Sequence, residues 1–177
     1  MSPGILTISI RQFSSISELD DYLWLSTAPY HVLGKEADAP REVFSLAVRR
    51  AGTVVANVGV LSFGVGVKPS WVAMEADLLV GFNDRVAVFS LEGITIRKDI
   101  PLLSLFWQFI IPEHASRVCV LCETAVVAMT PGGLPLWRVD TDLITNFTIA
   151  ESVIRLEFAD SPPRFIDLRS RIPSATS

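Results

Sequence analysis

The sequence predicts an all-β fold of stacked antiparallel four-stranded units, with one short helix near the N-terminus. Three observations lead to this prediction. Residues from Asp77 onward repeat with a spacing of 40 positions. Each repeat contains four short apolar runs separated by turn residues. The second run of each repeat is apolar on both faces, whereas the third alternates, which is typical of sheets covered on both sides by other sheets.

The repeat is visible without a gap when the chain is shifted by 40 positions. Apolar residues then superpose on apolar residues, and the turn residue Gly93 superposes on Gly133. The matched pairs are Leu78 with Val118, Val80 with Val120, Phe82 with Cys122, Val86 with Val126, Ile94 with Leu134, Ile96 with Leu136, Leu103 with Leu143, Trp107 with Phe147 and Phe109 with Ile149.

We interpret residues 1–177 as a single domain with five consecutive parts. They are an N-terminal helix and loop segment (1–40), a divergent hairpin region (41–76), two repeat units (77–116 and 117–152) and a partial unit (153–170).

Turn residues separate the predicted strands. Asn83-Asp84 and Glu92-Gly93 mark turns in the first unit, and Pro131-Gly132-Gly133 marks one in the second, because these residues favour tight reversals. Upstream, Ala51-Gly52 predicts a hairpin turn.

The predicted helix begins after Ser15. This residue and Glu18 have the spacing of a capping box, and Leu19 and Leu23 follow on one helical face. Residues 28–40 contain Pro29, Gly34 and Pro40, and we expect a loop there.

The stretch Val126–Asp142 resembles a blade repeat of the quinoprotein (PQQ-type) β-propellers. Ala128, Gly133 and Trp137 fit the family pattern of an apolar strand, a glycine turn and a strand carrying tryptophan. Thr130 replaces the family aspartate, the turn is one residue shorter, and the preceding unit has Arg97 at the place of the tryptophan. The resemblance covers one blade well and residues 77–170 loosely, and it implies the fold without quinone chemistry.

Closed propellers have four to eight blades, and this chain holds two full units, a fragment and a hairpin region. The sequence therefore predicts a partial or half β-propeller, or a sandwich-like arrangement. Either the N-terminal strands complete an incomplete ring, or the open sheet edges pair with a second copy, since unpaired edges are templates for association. We favour a homodimer over a monomer.

Composition excludes several classes of function. Hydrophobic residues make up 50% of the chain, which is enough for a continuous core. Charged residues make up only 19% and the net charge is -4, so a nucleic acid is not an expected partner. The sequence shows neither a leader peptide nor an apolar run long enough to span a membrane, and we expect a cytoplasmic protein.

Cys119 and Cys122 have C-x-x-C spacing but lie in an alternating apolar run. On a strand, residues three apart point to opposite faces, so we interpret both as buried hydrophobic residues. The histidines His31 and His114 are far apart in the chain. We therefore predict no metal site and no cofactor.

The polar residues offer only weak candidates for catalysis. Asp140 and Asp142 form a D-x-D beside a turn, and Glu113 and His114 lie together in the loop between the units. Each is better explained as a solvated strand end or loop residue, and we assign no catalytic residue.

The aromatic residues have two predicted roles. Tyr22, Trp24 and Trp71 lie outside the repeats and are the candidates for an exposed binding surface. Large apolar residues inside the repeats are the candidates for the structural core. The core candidates are Val86, Val88, Phe109, Val126, Trp137 and Phe147.

These observations favour a non-enzymatic protein-interaction or assembly module, such as a bacterial accessory or immunity-type protein. It would hold another protein, or a second copy of itself, through loops at one end of its sheets or through a sheet edge. The alternative is a small-ligand-binding protein or hydrolase on the same scaffold, which would require Glu113, His114, Asp140 and Asp142 to converge.

Overall fold

The computed structural model describes residues 6–35, 39–63, 67–74, 76–113 and 116–169. The chain forms two compact units, residues 1–69 and residues 70–177. Fifteen strands and one helix are described, which confirms the all-β class with one short helix.

The first unit contains one mixed sheet and the helix. Its elements are β1 (Leu6–Phe13), α1 (Ile16–Leu25), β2 (Tyr30–Leu33), β3 (Glu42–Arg50) and β4 (Thr53–Ser62). The strand order of this sheet, called sheet 1, is β1-β3-β4-β2. The pairs β1–β3 and β3–β4 are antiparallel, and β2 pairs parallel to β4.

Helix α1 begins where the sequence predicts it. The Ser15 hydroxyl accepts a hydrogen bond from the Glu18 N–H at 3.1 Å. The Glu18 carboxylate in turn accepts from the N–H of Ser14 at 2.9 Å, which lowers its pKa. Leu19 and Leu23 are buried against sheet 1, where Gly59 leaves room because a Cβ there would lie 3.1 Å from the Leu19 side chain. The missing side chain therefore lets the helix approach β4.

Residues 1–40 hold more strand than the sequence analysis predicts. The helix and loop segment also contains β1 and β2, and β2 lies inside the predicted loop 28–40. β2 has only four residues and is fixed by pairing with β4 through the register Tyr30 to Asn57. Such a distant partner leaves no local pattern in a short segment.

The second unit contains three antiparallel sheets. Sheet 2 consists of β5 (Ser70–Met74), β6 (Asp77–Phe82), β7 (Arg85–Ser90) and β8 (Thr95–Pro101). Sheet 3 consists of β9 (Phe106–Ile110), β10 (Val118–Cys122), β11 (Ala125–Met129) and β12 (Pro135–Asp140). Sheet 4 consists of β13 (Ile144–Ala150), β14 (Val153–Phe158) and β15 (Arg164–Asp167).

The sheets of the second unit stack face to face around two apolar cores. One core lies between sheets 2 and 3 and includes Leu79, Val88 and Val120. The other lies between sheets 3 and 4 and includes Leu121, Val126 and Ile154. The central strands β10 and β11 are buried along their whole length, because both faces of sheet 3 are covered.

Two close contacts join sheets 2 and 3. The ring of Phe106 lies on Gly81, where an added Cβ would come within 2.1 Å of the ring. Gly133, in the β11–β12 turn, has a φ of +72°. A Cβ at Gly133 would lie 2.8 Å from Val88 and 2.6 Å from Ile100. Both glycines therefore permit a packing distance that a larger residue would prevent.

The sheets are offset by one strand from the predicted repeat units. The fourth run of the first unit is β9, and it pairs with β10 of the following unit. In the same way β13 pairs with β14 and not with β12. Each sheet therefore takes its first strand from the preceding repeat, and β5 is the first strand of sheet 2.

The repeat spacing also changes within the unit. Pairing of Leu78 with Phe89 in sheet 2 corresponds to pairing of Val118 with Met129 in sheet 3, a spacing of 40. On the third strand, however, Val88 pairs with Lys98 whereas Ala128 pairs with Trp137, so the spacing is 39. The position of Trp137 therefore corresponds to Lys98, and the sequence alignment with Arg97 is wrong by one residue.

Candidate binding site

A pocket of about 590 Å³ opens at one end of sheet 3. The β9–β10 loop contributes Ser116 and Arg117, and the end of β11 contributes Thr130. Leu136 and Trp137 of β12 complete the described lining. We call this end, where residues 111–113, 116–117 and 130–134 lie, the pocket end.

A β-bulge explains why two consecutive residues of β12 line the same pocket. Ala128 pairs with Trp137, and the next residue, Met129, pairs with Pro135. Leu136 is therefore the extra residue of β12 and has no partner in the ladder. Bulges re-aim side chains and bend strands, and here the bulge places Leu136 beside Trp137.

Arg117 is the cation of the pocket, and it is half-buried. Over the described residues of the second unit, the other six arginines each donate a hydrogen bond to an oxygen or pair with a carboxylate. Arg117 does neither with any residue that the structure describes. Burial raises the pKa of the neighbouring Cys119 thiol, and the positive charge of Arg117 opposes part of this rise.

The corresponding place in sheet 2 is closed by an ion pair. Arg97, the bulge residue of β8, donates to the Asp77 carboxylate at 2.9 Å and to the Ser90 hydroxyl at 2.8 Å. The Asp77 side chain is only 10% exposed. In sheet 3 the positions of Asp77 and Ser90 are taken by Arg117 and Thr130. Leu136 takes the position of the bulge arginine, so the described lining of sheet 3 contains the Arg117 guanidinium but no carboxylate to pair with it.

Two further groups at the site retain hydrogen-bonding capacity. The Thr130 hydroxyl accepts from the Leu134 N–H at 3.0 Å, which leaves its own proton available for donation. The Trp137 Nε1 atom is buried and has no acceptor among the described residues. Buried donors without a partner are uncommon in native proteins, so the Trp137 indole is a second donor of this site that the described residues leave unused.

The predicted acidic candidates do not converge. Glu113 lies in the β9–β10 loop at the pocket end. Asp140 pairs across the ladder with Ala125, next to the β10–β11 turn, and is therefore at the opposite end of sheet 3. Asp140 pairs with Arg138 at 2.5 Å, and Asp142 accepts from Ser161 at 3.0 Å. His114 lies outside the described residues.

The two cysteines point to opposite faces of sheet 3. Cys122 belongs to the core with sheet 2, and Cys119 belongs to the core with sheet 4. Burial raises the pKa of each thiol to about 12. Within the part of the chain that the structure describes, no group of three or more His, Cys, Asp or Glu side chains is placed to hold a metal ion.

The three aromatic residues predicted for binding have different environments. Trp24 is 83% exposed at the end of α1. Tyr22 is half-buried, packs on Phe13 with ring centroids 5.2 Å apart, and donates to Asn57 at 3.4 Å. Trp71 is half-buried on β5 of the second unit.

The six core candidates are also placed differently from one another. Val86, Val88 and Val126 are fully buried between sheets. The larger residues Phe109, Trp137 and Phe147 are partly buried and pack against the same cores. Trp137 therefore has both a packing face and a pocket-lining face.

Three residues of the lining were not identified as site residues from the sequence: Arg117, Thr130 and Leu136. Their only detectable signal is the contrast with Asp77, Ser90 and Arg97 in the preceding repeat. That contrast becomes visible when the spacing of the third strand is known to be 39.

No protein-family model matches the chain, and no curated protein is similar to it in sequence. Solved structures do resemble it. BamB from Moraxella catarrhalis, a PQQ-like β-propeller, is 12% identical with a TM-score of 0.50, over 96% of this chain and 51% of BamB. The fold is β-propeller-like.

Two other solved structures are similar at lower scores. The WD40 domain of Neurospora crassa Pan2 is 12% identical with a TM-score of 0.45, over 72% of this chain and 46% of that chain. HIRA residues 644–1017 are 10% identical with a TM-score of 0.48, over 91% of this chain and 46% of that chain. The chain thus spans about half the length of BamB and of these two structures.

The single helix described in the structure has ten residues, too few to cross a membrane.

Proposed function

We propose that the chain is a non-enzymatic protein-interaction or assembly module that binds its partner at the pocket end. The observation that carries this proposal is the exposure of large apolar side chains at the end of sheet 3 where the pocket opens. Ile111, Leu134 and Leu136 all lie at this end of sheet 3, and Leu134 is 59% exposed. Surface apolar residues that cluster beside a pocket are typical of binding sites, whereas isolated ones are common everywhere.

The distribution of the acidic residues supports binding over hydrolysis. A carboxylate pair must share one reacting centre to act as acid and base. Asp140 and Asp142 are engaged with Arg138 and Ser161, at the end of sheet 3 opposite Glu113. The volume of the pocket favours small-ligand binding as the second candidate function.

A second copy of the chain is the partner we propose for the sheet edges. Sheet 4 has three strands, and over the described residues its edge strand β15 pairs only with β14. An open edge can accept a strand from another chain. On the outward face of sheet 4 the Arg155–Glu157 ion pair at 2.8 Å lies beside Phe165, which is 46% exposed and pairs with Arg155 across the ladder.

We also propose that the repeat is of the quinoprotein type. The support for this proposal is that Trp137 lies directly opposite Ala128 in the ladder, and that Gly133 forms the turn between their strands with a φ of +72°. A cytoplasmic location is proposed as well, and fractionation of native cells tests it.

Affinity purification from native cells, followed by light scattering of the isolated chain, tests partner and stoichiometry together. We expect a protein partner to be lost with Leu134→Ser and retained with Leu143→Ser. Leu143 is a matched control because it is 53% exposed and lies between β12 and β13 at the opposite end of sheet 3. Retention of every partner by Leu134→Ser would contradict the proposed binding end, and a monomer in light scattering would contradict the homodimer.

A further inference from the structure

We infer that the pocket end recognises a carboxylate side chain of its protein partner, set beside an apolar residue, through Arg117 and Thr130. The inference rests on the proposed function and names the chemistry of the group that is bound. It follows from the comparison of the same structural positions in sheets 2 and 3.

Sheet 2 shows which group is missing from sheet 3. There a guanidinium, a carboxylate and a hydroxyl form one closed cluster from Arg97, Asp77 and Ser90. Sheet 3 retains a guanidinium on Arg117 and a hydroxyl on Thr130, and the described lining contains no carboxylate. A carboxylate supplied by a ligand would therefore complete the same set of three groups.

The chemistry of the two polar residues fits a carboxylate. A guanidinium presents parallel N–H donors that match the two oxygens of a carboxylate. The Thr130 hydroxyl already accepts from the Leu134 N–H, so it meets a ligand as a donor. Both groups therefore offer protons to an acceptor that carries negative charge.

The remaining lining fits an apolar group next to the acid. Leu136 and Trp137 present an aliphatic and an aromatic surface on adjacent residues of the bulge. The pocket volume of about 590 Å³ accommodates more than one side chain. The chain has a net charge of -4. The positive charge of Arg117, with no carboxylate in the described lining, therefore contrasts with the negative charge of the whole chain.

Selection of a random-sequence peptide display library against the full chain tests the inference. We expect the selected peptides to contain Asp or Glu next to an aromatic or branched aliphatic residue. Changing that acid to its amide should weaken binding about tenfold or more, measured by calorimetry, because a charged hydrogen-bonded pair is lost. Arg117→Ala should weaken binding to the same extent, and the two changes together should not add.

Arg169→Ala is the matched control, because Arg169 is an exposed arginine of the same unit that pairs with Asp167. It should leave peptide affinity unchanged. Arg117→Glu adds a second test, since selection against this variant should favour Lys or Arg in place of the acid. Melting curves of all three variants establish that they are folded.

Equal binding of the acid and its amide would overturn the inference, as would equal binding by the native chain and Arg117→Ala. Binding of phenylacetate through Arg117 without selection of any peptide would overturn the protein partner and favour a small carboxylic acid. A partner recovered from cells that binds Arg117→Ala as tightly as the native chain would overturn the carboxylate and leave the proposed function standing. Failure to recover any partner would instead count against the proposed function.

Discussion

Sheets 2 and 3 are built from the same repeat, yet their equivalent ends differ in chemistry. In sheet 2 the bulge residue Arg97 closes the end by pairing with Asp77. In sheet 3 the bulge residue is Leu136, and the position of the carboxylate is held by Arg117. The apolar strands are alike in both sheets, so the fold depends on alternation, and the residues at the strand ends are free to take another role.

The largest loss of stability is expected where sheets 2 and 3 pack against each other. Phe106→Ala removes a fully buried ring from Gly81 and should cost about 3–5 kcal/mol of unfolding free energy. The corresponding joint between sheets 3 and 4 uses Ile144, since Ile144 N–H bonds to Glu123 as Phe106 N–H bonds to Asn83. Ile144→Val should cost only about 0.5–1.5 kcal/mol. Urea denaturation measures both, and equal losses would show that the joints are not built as described.

The second largest effect is expected at one position of the third strand, which Trp137 occupies in sheet 3 and Lys98 in sheet 2. Trp137→Ala should cost about 2–3 kcal/mol, below the range for a fully buried aromatic residue because Trp137 is only partly buried. Lys98→Ala at the equivalent position of sheet 2 should change stability by less than about 0.5 kcal/mol. An unchanged melting curve for Trp137→Ala would make its role one of contact alone.

The third effect compares the closed end with the open one. Arg97→Ala leaves the nearly buried Asp77 carboxylate without its partner and should cost about 1–2 kcal/mol after allowance for the exposure of Arg97. Arg117→Ala breaks no pair and should stay within about 0.5 kcal/mol. Thermal unfolding of the two variants side by side makes the comparison.

A graft sharpens this third comparison. Arg117→Asp together with Leu136→Arg copies the Asp77 and Arg97 positions onto sheet 3. The double variant should fold with at least the native stability and should lose peptide binding. A double variant that binds as the native chain does would contradict the equivalence of the two ends.

The smallest effect at neutral pH concerns the two cores that flank sheet 3, because it appears only at alkaline pH. Burial holds the thiol pKa values of Cys119 and Cys122 at about 12 in the folded state, above the ordinary value of 9.0. The unfolded chain therefore loses these protons first, and stability that is complete below pH 9 declines above it. Each thiol should account for about 1.4 kcal/mol at pH 10.

Urea denaturation at pH 7 and pH 10 measures this decline. The variant with both cysteines changed to alanine should show a smaller decrease between the two pH values than the native chain. Single variants then separate the core with sheet 2 from the core with sheet 4. Identical decreases in the native chain and the double variant would contradict the burial of the thiols.

Much of the fold was predictable because its causes are local. Alternation of apolar residues and turn pairs such as Asn83-Asp84 predict the strands of the repeats, and Ser15 with Glu18 predicts the helix start. The membership of β9 and β13 in the following sheets was not predictable, since a repeating pattern has no intrinsic starting strand. β2 was missed because it depends on a partner far along the chain.

The candidate site was less predictable, because the residues that line it are determined by the register of β12. Arg117 in the sequence looks like any arginine before an apolar strand. Among the described residues it has no partner, and Leu136 takes the bulge position that an arginine holds in sheet 2, which becomes visible only with a third-strand spacing of 39. A one-residue change of register exchanges the faces of a strand, and no local pattern reports it.

The shorter turn before β12 has an evolutionary consequence. Each residue of β12 occupies the place of the residue 39 positions earlier in β8, so the turn alone absorbs the difference in length. Tandem copies of a gene segment can in this way gain or lose a codon in a reversal while the strands keep their roles, and specificity then diverges through substitutions at the strand ends.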